Sequence, residues 1–119
     1  MSTPEGAILK QILDYLAARH ILAFRQNTGA VASEHKGKKR FMRFGVPGMA
    51  DILAFVPVQC IDHPDGTSSI RLPCVIWLEV KTATGKQSEL QRSFQQQAER
   101  HGHRYAVVRS VDDVEALLK

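Results

Sequence analysis

Within the apolar run Trp77-Leu78-Glu79-Val80-Lys81-Thr82, an acid and a base stand two positions apart. Strand side chains alternate faces, so Glu79 and Lys81 project to the same side, about 7 Å apart along the strand. They share that side with Val75 and Trp77, where charge is costly unless it is paired or metal-bound. Upstream, Asp51 follows Gly48-Met49-Ala50 at the mouth of a second apolar run. If the two runs pair as a hairpin, Asp51 and Glu79 lie side by side. Two converging carboxylates suit a hard divalent cation, and magnesium takes one or two carboxylates together with waters and a substrate phosphate. A lysine one pleat away can then help to activate water or offset charge on the phosphate. A turn-capping Asp51 and a structural Glu79–Lys81 ion pair are the simpler alternative.

The elements that would carry these residues follow from spacing and punctuation. Thr3-Pro4-Glu5 reads as a helix start, and Ile8, Leu9, Ile12, Leu13, Leu16 and Ala17 recur at helical spacing, so residues 4–19 form an amphipathic helix. Glu5 lies on its apolar stripe, which should meet a sheet, although an acid in a first turn is also favourable for the helix dipole alone. Residues 21–26 read as a strand and 27–47 as a loop or irregular hairpin. Residues 49–58 and 74–82 read as strands, with Pro64, Asp65 and Gly66 turning between them. A helix over 86–101 ends at Gly102. Ser88 to Gln91 has the spacing of a capping box, so Gln91 has a structural role as well as a possible chemical one. A strand at 103–110 and a helix at 112–118, capped by Ser110 or Asp112, complete the chain. The order points to a small mixed β-sheet flanked by helices, an α/β fold. A strand-helix-strand crossover makes 74–82 and 103–110 parallel neighbours.

The chain has 119 residues, 44% of them hydrophobic, which is enough for a single domain with one core. No apolar run approaches a membrane-spanning length, and the N-terminal residues lack a signal-peptide pattern, so a cytoplasmic protein is expected. Cys60, His63 and Cys74 are too loosely spaced to make a convincing zinc site. The net charge of +4 is concentrated. Lys36, Lys38, Lys39, Arg40 and Arg43 fall in one acid-free stretch; setting those five aside from 16 basic residues leaves 11 against 12 acids. Such a cluster suits a phosphate backbone, although a solvated loop would look the same.

Asp51 with the later Glu79-Val80-Lys81 resembles the D…E-x-K core of the restriction-endonuclease-like nucleases, the PD-(D/E)XK superfamily. The finer pattern is similar to its VRR-NUC branch: Pro4-Glu5 opening the first helix, Gly45 to Asp51 as G-x-P-G-x-x-D, L-E-V-K-T followed by Ser88-x-x-Gln91, and V-V-R-S-x-x-D running to Asp113. The resemblance spans nearly the whole of residues 1–119. It implies an αβββαβ core with a short C-terminal helix. It also implies Mg2+ (or Mn2+) held by Asp51, Glu79 and the backbone carbonyl of Val80, with Glu5 reaching the metal shell. Lys81 would be the catalytic lysine, and Gln91 would position Lys81 or the phosphate. Ala50 stands where the wider superfamily often has proline; that proline is not a ligand.

The expected function is therefore a metal-dependent endonuclease of bacterial or phage type, with residues 36–43 gripping the DNA backbone without reading bases. Similarity to stand-alone members of the group suggests branched DNA such as four-way junctions, cut by a homodimer. The hairpin insert 59–73 and the exposed side of the first helix are the candidate dimer surfaces. A catalytically inert DNA-binding module and a sequence-specific restriction-type nuclease are the alternatives.

Overall fold

The structure is a computed structural model that describes residues 3–26, 30–35, 38–43, 46–62 and 69–118. Its elements are α1 (Pro4–Ala18), β1 (Leu22–Arg25), β2 (Ala30–His35), β3 (Lys38–Arg43), β4 (Ile52–Asp62), β5 (Ser69–Val80), α2 (Glu89–Arg100), β6 (Arg104–Val108) and α3 (Val111–Leu117). Four strands form one mixed sheet in the order β1-β4-β5-β6, and β2-β3 form a separate two-stranded sheet. The expected hairpin is present: β4 and β5 are antiparallel, with Ile52 opposite Leu78. The expected crossover is present too, with β5 and β6 parallel through Val80 and Val108. The register of β4 shifts between Val56 and Gln59, where Pro57 has no N–H to give the ladder.

Alternation along the strands sorts the core. Ile52 and Val56 of β4, Ile76, Leu78 and Val80 of β5 and Val108 of β6 pack with Leu9, Ile12 and Leu16 of α1 and Val114 of α3. The opposite face of the sheet carries Trp77, whose ring meets Phe94 of α2 edge-on at 5.0 Å. Helices therefore lie on both faces. The strand ends depart from the sequence expectation in a consistent way. β4 starts at Ile52 rather than at residue 49, because a turn closes first, with Met49 N–H donating to the Val46 carbonyl at 2.9 Å. β5 stops at Val80, so Asp51 and Lys81 both sit just beyond the sheet ladder. The first helix starts where its signals fall: Thr3 Oγ1 accepts from Gly6 N–H at 2.9 Å, ahead of Pro4. α2 begins at Glu89, three residues later than expected, because the Ser88 cap fixes its start. Ser110 Oγ accepts from Asp113 N–H, so Ser110 rather than Asp112 caps α3. Residues 27–47, expected as a loop or irregular hairpin, contain the regular pairing of β2 with β3, from Ala30 opposite Arg43 to His35 opposite Lys38. The turn assigned to Pro64, Asp65 and Gly66 lies outside the described residues, as does His63. Among the described residues no helix is long and apolar enough to cross a membrane.

Candidate active site

The site collects at one end of the sheet, where β1, β5 and β6 finish and β4 begins. One step beyond the Ile52–Leu78 pair, the antiparallel register sets Asp51 opposite Glu79. Backbone bonds fix this end from both sides: Gln26 N–H donates to the Asp51 carbonyl at 2.8 Å, and Lys81 N–H donates to the Val108 carbonyl at 3.0 Å. Glu79 is thus placed by the ladder, and Asp51 by the backbone bond one residue beyond it.

Each carboxylate has one oxygen held and one left over. Asp51 Oδ2 accepts the Val80 N–H at 2.8 Å. Its other oxygen is left for the neighbouring Glu79 carboxyl, with which Asp51 shares a hydrogen bond when Glu79 carries a proton. Glu79 Oε1 accepts from Gln91 Nε2 at 3.0 Å and lies 3.8 Å from Lys81 Nζ. Glu79 Oε2 is buried with no partner among the described residues. The whole Glu79 side chain is only 1% exposed. Burial, then the charge of the Asp51 carboxylate and a hydrogen bond between the two carboxyls, push the Glu79 pKa up to about 8; the Lys81 ammonium pulls the other way, and Glu5 adds to the rise. A buried carboxylate with an orphaned oxygen, facing a second carboxylate, is a place for either a proton or a cation.

Gln91 resolves the tension between its two expected roles by performing both. Its backbone N–H donates to Ser88 Oγ at 3.1 Å, and its side-chain Oε1 accepts the Ser88 N–H at 2.9 Å, which closes the capping box. Its remaining Nε2 holds Glu79 rather than Lys81. The helix start and the acid are therefore tied together by one amide.

Glu5 is brought near Asp51 but not into a shared pocket with Glu79. It lines a pocket of about 140 Å3 with Thr3, Gly6, Leu9, Arg25, Asp51 and Val80. That volume holds several waters or a hydrated cation. Among the described residues, no group of three or more His, Cys, Asp or Glu side chains converges on a point. The donor set at the strand ends is thus two close carboxylates with Glu5 farther out. Cys74 is a free thiol on β5 and does not join it. Lys36 lies outside the described residues. β3 carries Lys38, Lys39, Arg40 and Arg43, whose side chains, like that of Cys60, are also outside the description.

Three residues that shape the site had no assigned role in the sequence reading. Gly48 has φ +83°, and a Cβ there would stand 2.3 Å from the Leu90 carbonyl oxygen. The turn before Asp51 thus abuts the first turn of α2, the turn that carries Gln91. Arg109, in the V-V-R-S stretch, donates through Nη1 to the carbonyls of Thr82 and Gly85 at 2.5 and 2.7 Å, pinning the loop that follows Lys81. Arg25, at the end of β1, reaches the pocket. Position alone placed Arg25 and Arg109; their types gave no signal beyond a basic residue at a strand end. The chain matches no family model, and neither the curated proteins nor the solved structures give a match.

Proposed function

We propose that the protein is a magnesium- or manganese-dependent DNA endonuclease working at the Asp51–Glu79 pair, on a restriction-endonuclease-like core of the VRR-NUC kind. The observation that carries the reading is the pair of half-held carboxylates, with Glu79 Oε2 buried and unpartnered. The donor set fits a hard cation that keeps most of its waters: two anionic oxygens at the strand ends, the Val80 carbonyl next to Glu79 in the chain, and Glu5 in the pocket with Asp51. A bound cation of this kind would make a water nucleophilic near neutral pH and offset charge on a phosphodiester.

The chain's own residues supply the rest. Gln91 fixes the Glu79 carboxyl through Oε1, so that Oε2 is the atom presented. The Val80 N–H does the same for Asp51, presenting Oδ1. Lys81 is held near Glu79 by a 3.8 Å ion pair, which places its ammonium beside the carboxylates where a phosphate would sit. Arg109 ties down the loop that follows Lys81 through the Thr82 and Gly85 carbonyls. The basic stretch 36–43 holds the phosphate backbone and reads no bases. A twofold homodimer would carry two such sites and make the paired cuts that a branched substrate needs.

Incubation with linear, flapped and four-way DNA in Mg2+ and in Mn2+ tests the proposal. Paired, metal-dependent cuts in the four-way junction are the expected result. Discrete bands from plain plasmid would favour a restriction-type nuclease. Binding without cleavage in either metal would favour an inert DNA-binding module.

A further inference from the structure

The pocket beside Asp51 is lined by two acids and by a single base, Arg25. Arg25 is the last residue of β1, opposite Ile52, and the next residue's N–H is bonded to the Asp51 carbonyl at 2.8 Å. Its backbone is therefore fixed relative to Asp51 by the sheet. Yet among the described residues the only ion pair is Lys81 with Glu79. An arginine whose task was to neutralise Glu5 or Asp51 would close on one of them. Arg25 instead shares their pocket and pairs with neither.

The geometry also separates the two cations. Lys81 follows β5 and is engaged with Glu79, while Arg25 ends β1, on the far side of β4. Asp51 thus has a base on either flank. Arg25 shares its side of the sheet with Ile52 and Val80, which is the side of α1 and of the pocket. A phosphodiester entering a pocket that contains two carboxylates needs a cationic wall. The planar guanidinium offers two parallel N–H donors to two phosphate oxygens, which a point charge such as lysine cannot do.

We propose that Arg25 is a phosphate-binding residue, holding non-bridging oxygens of the DNA strand that lies over the Asp51 pocket. This rests on the nuclease reading for what the phosphate is doing there, but the contact can be measured without cleavage. Arg25 sits outside the D…E-x-K set and outside the basic stretch 36–43. It is exposed at the strand end, so replacing it should leave the core intact.

The test uses the full chain and a four-way DNA junction, with Ca2+ for binding and Mn2+ for cleavage. Arg25→Ala should weaken binding about tenfold. It should also flatten the slope of log affinity against log salt by about 0.9, one phosphate contact. Arg25→Lys should keep the slope, because the charge remains, while single-turnover cleavage slows at least tenfold, because the fork is lost. Arg100→Ala, which removes an exposed charge from the far end of α2, should change neither. An unchanged slope in Arg25→Ala overturns the proposal, whatever the cleavage rate. So does a wild-type chain that binds no junction. A flattened slope with a wild-type chain that cuts nothing leaves Arg25 as a phosphate contact and sinks the nuclease reading instead.

Discussion

Replacing Glu79 by glutamine should make the metal-free protein more stable at pH 8, and the structure sets the size of the effect. The Glu79 pKa is raised from 4.5 to about 8 by burial and by Asp51. In the unfolded chain the group ionises near 4.5, whereas the folded chain keeps its proton until about 8. Between those values the unfolded state binds fewer protons, so stability falls as pH rises. The contribution is fully present below pH 4.5 and is lost as pH climbs to about 8. At about 1.4 kcal/mol per pH unit the full loss is about 5 kcal/mol. For a domain of this length that corresponds to a drop in Tm of roughly 20 °C. Glutamine removes the titration and fits the bonding. Its amide oxygen can accept from Gln91 and its nitrogen can face Asp51, where Oε2 is now unpartnered. Thermal melts of wild type and Glu79→Gln in EDTA, from pH 4.5 to 8.5, read by difference the titration of Glu79 together with its effect on Asp51. The gap should widen steadily in favour of the variant, and millimolar Mg2+ or Mn2+ should close it by stabilising only the wild type. Parallel curves across the range would refute the reasoning, because they would mean that Glu79 ionises alike in the folded and unfolded chains.

Other expectations bear on different parts of the site. Gly48→Ala should cost about 2 kcal/mol or more in urea unfolding, since a Cβ would meet the Leu90 carbonyl at 2.3 Å with φ at +83°. It should also lower cleavage, because the displaced turn of α2 carries Gln91. Changing three of Lys36, Lys38, Lys39, Arg40 and Arg43 to Ala should flatten the salt dependence of DNA binding by roughly 0.9 per lost contact, on every sequence alike. An unchanged slope would make that stretch a solvated loop. Sedimentation equilibrium at micromolar concentration should show a dimer; a strict monomer that still cuts junctions in symmetric pairs would defeat the twofold arrangement.

The central strands and the placement of Asp51, Glu79 and Lys81 at their ends were legible because one physical rule governed both. Period-two patterning set Glu79 and Lys81 on one face, and the hairpin reading of the two apolar runs brought Asp51 opposite Glu79. The Ser88-to-Gln91 spacing announced the capping box, and the structure adds the bond to Glu79 that spacing alone could not contain. What escaped the sequence was tertiary contact. Gly48 stood in the G-x-P-G-x-x-D stretch with no role of its own, because its approach to Leu90 depends on where α2 packs. Arg109 carried no signal of its role in the V-V-R-S stretch, because the carbonyls it binds come from a loop on another strand's end. Element ends shifted where hydrogen bonding outweighed composition: apolar patterning extended the β4 run back to residue 49, but the Val46–Met49 turn delays the ladder to Ile52.

Calorimetric Mn2+ binding and single-turnover cleavage of a four-way junction by wild type, Asp51→Asn and Lys81→Ala, measured on the same preparations, test the cation-holding pair most directly. Asparagine keeps the shape of Asp51 and removes its charge, and Lys81 is 3.8 Å from the presented acid but is no ligand. Wild type should bind metal and cut. Asp51→Asn should do neither, while binding DNA as well as or better than wild type. Lys81→Ala should bind metal and not cut. Wild-type cleavage by Asp51→Asn would contradict the metal site at the strand ends, and with it the reading of Asp51 and Glu79 as a cation-holding pair.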